Sequence, residues 1–129
     1  MKKKIAFFCV HNSCRSQISE ALGKYLLSDR FEFCSAGSET KSAINSDAVR
    51  LMKDLYGIDM EKEQYSKTAD KIPVPDIAIS MGCEVACPYI GKAFDEDWGL
   101  PDPTGKSDEE FLKVIKIIHS NVQKLAEKY

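Results

Sequence analysis

Hydrophobic positions along the chain fall into two kinds of pattern. Ile5 to Val10 is an unbroken apolar stretch, as expected of a strand buried on both faces of a parallel sheet. A polar turn, His11 to Arg15, follows it. Ile18, Ala21, Leu22, Tyr25 and Leu26 then recur at helical spacing and place one apolar face on a helix from about Ser16 to Leu27. Phe31 to Ala36 reads as a second strand, closed by Gly37. Asn45 suits the N-cap of a second helix. Ala48, Leu51, Met52, Leu55 and Tyr56 line its predicted buried face, and Gly57 suits its stop. Pro73 and Pro75 precede a third strand, Asp76 to Met81. Gly82 to Gly105 is loop-rich, with a short fourth strand expected at Lys92 to Phe94. The last helix opens on a capping box, Ser107-x-x-Glu110, and carries a core stripe at Phe111, Ile115, Ile118, Val122 and Leu125.

Strands alternating with helices predict an α/β fold, a parallel sheet flanked by helices on both faces. Ligands in such folds bind beyond the carboxyl ends of the strands. The turn Cys9 to Ser16 and the segment Gly82 to Cys87 are both expected there. With 129 residues and no linker or repeat, residues 1–129 read as a single domain. Lys and Arg total 18 against 20 Asp and Glu, a formal net charge of -2. That balance argues against a nucleic acid backbone or an anionic membrane as the main partner. The longest apolar run, Ile5 to Val10, is too short to cross a bilayer or to serve as a signal peptide behind Lys2 to Lys4. The expected location is cytoplasmic, and nothing in the pattern asks for more than a monomer.

Five cysteines, Cys9, Cys14, Cys34, Cys83 and Cys87, are an odd number without an export signal. They are core filler, metal ligands or reactive thiols rather than a disulfide framework. The first sits in Cys9-Val10-His11-Asn12-Ser13-Cys14-Arg15-Ser16. A Cys, five residues and Arg-Ser between a strand and a helix have the logic of an oxyanion cradle. Backbone N–H groups of Val10, His11, Asn12, Ser13, Cys14 and Arg15 point inward, and the helix start adds its unpaired N–H groups and positive dipole end. Arg15 can grip two oxygens of a tetrahedral anion. The same field favours a thiolate at Cys9, the expected nucleophile. Ser16 can donate a hydrogen bond to that sulfur. The bland alternative is a buried strand-end cysteine beside an arginine paired to some acid. The chain has neither a Gly-x4-Gly-Lys-Ser/Thr loop nor a Gly-x-Gly-x-x-Gly fingerprint.

Cys83 and Cys87 lie four residues apart. On one turn of helix their Cα separation suits a disulfide. Zinc would need two further ligands, and His11 and His119, the only histidines, have no ligand spacing to the pair. No metal site is expected. Structural filler and a redox pair remain, and the loop setting beside Pro88 favours the redox pair.

Cys-x-x-Asn-Ser-Cys-Arg-Ser-Gln near the start of so short a chain resembles the low-molecular-weight tyrosine phosphatase superfamily, and within it the thiol-coupled arsenate reductases. The resemblance extends through Ser35-Ala36-Gly37, Met81-Gly82-Cys83, Cys87-Pro88, Glu96-Asp97-Trp98 and Asp102-Pro103-Thr104-Gly105. It implies a four-stranded sheet in the order 2-1-3-4 and an arsenate reductase acting in arsenic detoxification, with phosphate or sulfate as competing anions. Cys9, Cys83 and Cys87 would form a disulfide relay, regenerated by thioredoxin or by a glutaredoxin and small-thiol system, with no tightly bound cofactor. Cys87-Pro88 matches the third thiol of thioredoxin-coupled relatives, whereas Cys83 is offset by one, Gly82 standing where the second thiol usually lies. The resemblance makes Asp102 the general acid; the alternative is a turn-forming Asp in Pro-Asp-Pro. Thr104 replaces the aromatic usual in the phosphatase branch, which disfavours aryl phosphates.

Asn12, Glu20 and Ser35 match a potassium site of some relatives, but Lys67 replaces its acidic member, so the ammonium is expected there and no potassium. Cys14, inside the cradle but expected to face the wrong way for a second nucleophile if the loop closes, and Cys34, in an apolar strand, read as structural. Asp95, Glu96 and Asp97 read as a solvated acidic face, and His119 as an ordinary helix residue. The competing reading is a low-molecular-weight protein tyrosine phosphatase with a cysteinyl-phosphate intermediate, sharing Cys9, Arg15 and Asp102. A non-catalytic oxyanion-binding or thiol-sensing module is a third.

Overall fold

The computed structural model describes residues 2–41, 43–82 and 90–129. Its strands are β1 (Lys3–Cys9), β2 (Phe31–Gly37), β3 (Ile77–Ser80) and β4 (Glu96–Asp97). They form one parallel sheet in the order β2-β1-β3-β4. The helices are α1 (Arg15–Leu27), α2 (Ser46–Tyr56), the short α3 (Met60–Glu63) and α4 (Asp108–Lys128), with a further helical turn at Ala69–Lys71. β1 is central because its continuous apolar run tolerates burial on both sides.

Side chains alternate across β1. Ile5, Phe7 and Cys9 join a large core with Ile18 and Leu22 of α1, Met52 of α2, and Phe111, Ile115 and Ile118 of α4. Ala6 and Phe8 point the other way, with Ala36, Ala78 and Ile90, and are covered by Ala69, Ile72 and Phe94. Phe7 stacks on Phe33 at 6.0 Å between centroids and meets Trp98 at 5.4 Å. Gly23 lets α1 lie close to the sheet, because a Cβ there would fall 2.5 Å from the Phe33 ring.

The capping chemistry read from the sequence is present. Asn45 Oδ1 accepts from the N–H groups of Asp47 and Ala48. Gly57 ends α2 in the left-handed conformation, φ 70°. Ser107 Oγ accepts from the Glu110 N–H, while the Glu110 carboxylate turns to Lys113 and leaves the box half made.

Three local expectations need correction. The fourth strand lies at Glu96–Asp97, not Lys92 to Phe94. Asp95 Oδ2 takes the N–H of Ala78 and the ammonium of Lys92, so ladder pairing starts only beyond it, at Ile79 opposite Glu96. Phe94 packs edge-on to Phe8 instead. Tyr25 and Leu55, predicted on buried faces, are 55% and 50% exposed. Tyr25 packs edge-on against Tyr56, whose hydroxyl lies 2.8 Å from Nδ1 of His119. The acidic run is not simply solvated. Glu96 accepts from Trp98 Nε1, Tyr129 Oη and Lys128 Nζ, tying the chain's last turn to the stretch that leads to Asp102.

Candidate active site

The carboxyl end of β1 opens into the turn Val10 to Cys14, and α1 begins at Arg15. What shapes the turn is where its carbonyls go. Val10 O accepts from the Glu39 N–H, His11 O from Ser66 Oγ, Asn12 O from Gln17 Nε2, Ser13 O from the Asn45 N–H, and Cys14 O from the Ile18 N–H. In a trans peptide the N–H lies opposite its carbonyl. Five carbonyls tied outward to the scaffold therefore turn the N–H groups of His11, Asn12, Ser13, Cys14 and Arg15 toward the cradle. The ring expected from the sequence also includes the Val10 N–H.

Asn12 is the keystone of this turn. It is fully buried and sits at φ 50°, a left-handed conformation that asparagine tolerates better than most residues. Its Nδ2 donates to Ser16 Oγ and Ser35 Oγ, both at 2.9 Å, and its Oδ1 accepts from Gln17 Nε2 and the Lys67 N–H. The side chain is thus used beneath the loop, leaving only the backbone for an anion. Gly37 closes the other side. A Cβ there would lie 2.5 Å from Val10 O and 2.9 Å from Asn12 N, so only glycine fits.

Cys9 Sγ lies 2.8 Å from Ser16 Oγ. Either atom can donate, and Ser16 is the donor when the sulfur is a thiolate. Ser16 Oγ accepts from Asn12, so its own proton is free to point at the sulfur. The same amide donates to Ser35 Oγ, whose proton goes to Glu20 Oε1 at 2.6 Å. Two donor chains thus diverge from the Asn12 amide, one through Ser35 to the buried Glu20 carboxylate and one through Ser16 to the Cys9 sulfur.

Cys9, Val10, His11, Ser13, Cys14 and Arg15 line a pocket of about 170 Å³ together with Lys41, Asp102 and Thr104. Arg15 Nη1 donates to Met81 O and Leu100 O, both at 2.7 Å. The guanidinium is thereby pinned between the end of β3 and the acid loop. A guanidinium has five N–H donors, and among the described residues Nε and Nη2 remain for an anion. Asp102 Oδ1 accepts from the backbone N–H and the hydroxyl of Thr104, at 3.0 and 2.7 Å. Burial pushes the Asp102 carboxyl up, but the two Thr104 bonds and the Arg15 and Lys41 charges outweigh it and leave it below the usual carboxylate range.

Residues 4–129 match the low molecular weight phosphotyrosine protein phosphatase family. The chain belongs to that family. Arsenate reductase 1 of Staphylococcus epidermidis is 36% identical over 129 residues, covering 97% of this chain and 96% of that protein. A solved arsenate reductase in a phosphate-binding state superposes with a TM-score of 0.86 at 34% identity, covering 99% of this chain and 98% of the other. The Corynebacterium glutamicum thioredoxin-dependent arsenate reductase superposes with a TM-score of 0.77 at 30% identity, over 98% of this chain and 61% of that one.

Within this phosphatase-family site, Cys14 lines the pocket. Burial, followed by the nearby Asp102 charge, pushes its thiol up to about 12, so it stays protonated and a poor nucleophile at neutral pH. Cys34 is pushed up to about 11, chiefly by burial and then by Glu20. His11 is half-exposed, with Nε2 3.0 Å from Glu39 Oε2. Lys67 Nζ lies 3.9 Å from Glu20 Oε1, 3.2 Å from Tyr65 O and 4.7 Å from the Tyr65 ring centre. The ammonium thus stands beside Glu20, whose Oε1 also accepts from Ser35. Burial lowers its pKa, and the Glu20 charge partly offsets that. Among the described residues no group of three or more His, Cys, Asp or Glu could hold a metal ion.

Cys83 and Cys87 lie outside the described residues. The neighbouring Gly82 takes a left-handed backbone. Its φ is 89°, and a Cβ there would lie 2.9 Å from Gly99 Cα. A side chain at 82 is therefore strained in this backbone. The sequence reading missed Gln17, Gln64 and Lys41. Gln64 Nε2 binds Gln17 O and Oε1, and Gln17 in turn holds the cradle. Two buried glutamines near a phosphate-type loop were the available signal; Lys41 gave none.

Proposed function

We propose that the chain reduces arsenate to arsenite. The observation that carries this reading is Cys9 sulfur at the foot of a ring of N–H donors, hydrogen-bonded to Ser16, with Arg15 and Asp102 on the walls of the pocket. The names of the relatives support the choice of arsenate over other tetrahedral oxyanions.

Arsenate sits on the N–H groups of the cradle, in the grip of Arg15. Its negative charge offsets the cations that hold Asp102 ionised, so the carboxyl takes up a proton in the complex. Cys9 thiolate attacks arsenic, an S–As bond forms, and the oxygen protonated by Asp102 leaves as water. Cys83 then attacks Cys9 Sγ. An S–S bond forms, the S–As bond breaks, and its electron pair stays on arsenic, taking As(V) to As(III). Cys87 attacks Cys83, Cys9 is released, and the Cys83–Cys87 disulfide is reduced by an external dithiol. Ser16 stabilises the sulfur each time it carries charge. Thioredoxin is the proposed reductant, a choice supported by the thioredoxin-dependent relative. The proposed setting is a cytoplasmic monomer; no described helix is long and apolar enough to cross a membrane.

Single turnover tests this directly. Fully reduced protein mixed with arsenate and no external reductant should release one arsenite per chain and lose two titratable thiols. Replacing Cys9 with Ser should abolish both. Thiol loss without arsenite, or arsenite without thiol loss, contradicts the scheme.

A further inference from the structure

The strap that follows β2 is fastened over the cradle at three points. The Glu39 N–H donates to Val10 O at 2.9 Å. The Glu39 carboxylate lies 3.0 Å from His11 Nε2. The Lys41 N–H donates to Ser66 Oγ at 3.0 Å, and the same hydroxyl donates to His11 O. Two of these bonds hold carbonyls of the cradle itself. The strap is therefore part of the machinery that turns the N–H groups inward, and it carries Lys41 to the pocket.

Lys41 lines the pocket with Cys9, Arg15 and Asp102. Its backbone is fixed by Ser66, while the side chain is exposed and forms no described ion pair. The nearest acid of the strap, Glu39, is already answered by His11. The Asp102 carboxylate, which feels the Lys41 charge, has Oδ1 occupied by Thr104. Among the described residues the pocket thus holds two cations, Arg15 in its wall and Lys41 at its rim, against the single carboxylate Asp102.

We propose that Lys41 is a substrate-binding cation that selects doubly charged tetrahedral oxyanions over singly charged ones of the same shape. This rests on the oxyanion reading of the cradle. The backbone N–H ring and the Arg15 fork recognise shape and oxygen positions. A further point charge at the rim adds an attraction that grows with ligand charge. A lysine suits this place because a flexible ammonium follows the ligand without demanding a planar geometry.

The test compares sulfate and perchlorate, tetrahedral anions that differ in charge and do not titrate near neutral pH. Their affinities for the reduced protein are read from amide chemical-shift titrations of the cradle residues, for the parent, K41Q and K41R. One such contact in water is worth about a fivefold change per unit of ligand charge. The expected result is therefore that K41Q weakens sulfate roughly fivefold more than it weakens perchlorate, and that K41R restores the ratio. In turnover, KM for arsenate should rise with kcat within about twofold. An unchanged sulfate-to-perchlorate ratio in K41Q overturns the proposal while leaving the cradle intact. Failure of the parent to bind sulfate overturns the proposal together with the oxyanion reading.

Discussion

Asp102 shows how single residues set the chemistry. Its carboxyl lies below the usual range in the free protein, and the Thr104 hydroxyl and Arg15 are two of the reasons. An ionised group with a depressed folded pKa stabilises the fold above the ordinary carboxylate pKa, and that contribution is lost as pH falls through the depressed value. Replacing Thr104 with Val removes one donor to the carboxylate, so the Asp102 pKa should rise. The carboxyl carbon shift in an NMR titration will show this, and a titration unchanged from the parent would contradict it. In the proposed mechanism Asp102 is the general acid and acts protonated. Asp102→Asn should therefore lower kcat by about 10²-fold or more and remove the basic limb of the pH–rate profile. Ser16→Ala should cost roughly 10²-fold in the rate of arsenite release, because the only described side-chain donor to the Cys9 sulfur is gone. Circular dichroism of that variant should match the parent. Residues whose roles follow from a motif were legible in the sequence, as Cys9, Arg15 and Ser16 were. Lys41 was not, because an exposed lysine in a polar loop carries no pattern.

At the scale of elements, the cradle holds its shape because its carbonyls are tied outward, and Asn12 supplies four of the bonds around it. Asn12→Ala should destabilise the protein by roughly 2–4 kcal/mol in urea unfolding, since it strips partners from buried donors and acceptors and leaves alanine at positive φ. Gly37→Ala should abolish sulfate binding with a smaller loss of stability, because its Cβ displaces Val10 and Asn12 rather than the core. Sulfate affinity equal to the parent's would show that the close approach is not needed. Helices with an apolar stripe were read correctly: α2 and α4 carry both periodicity and a cap, while α1 was read from periodicity alone, its N-cap Cys14 making no side-chain bond. The short β4 was misplaced by a few residues. Two paired positions generate no alternation to read, and the pairing is set by the Asp95 bond to Ala78, which the sequence does not display. Tyr25 and Leu55 lie at the edges of the helical stripes and are only half covered, Tyr25 by the Tyr56 ring.

The whole molecule brings three distant stretches to one end of a parallel sheet. β1 delivers Cys9, β3 ends at the Met81 carbonyl that anchors Arg15, and the chain beyond β4 delivers Asp102. Trp98 against Phe7, and Glu96 against Tyr129, fix that last segment to the core. The strand order followed from the family resemblance, and the convergence of the strand ends from the α/β pattern. The buried network of Glu20, Ser35, Asn12, Gln17 and Gln64 was legible only in part, since polar residues inside a helix look solvated until their partners are known. The central claim is that this end of the sheet passes two electrons to arsenic through three thiols. The measurement that tests it most directly is multiple-turnover arsenite production with thioredoxin, thioredoxin reductase and NADPH, on the parent and on Cys87→Ser. The account predicts steady production in the parent, one NADPH consumed per arsenite, and at most one arsenite per chain in the variant. Full turnover by Cys87→Ser, or a parent that hydrolyses aryl phosphates but forms no arsenite, would contradict it.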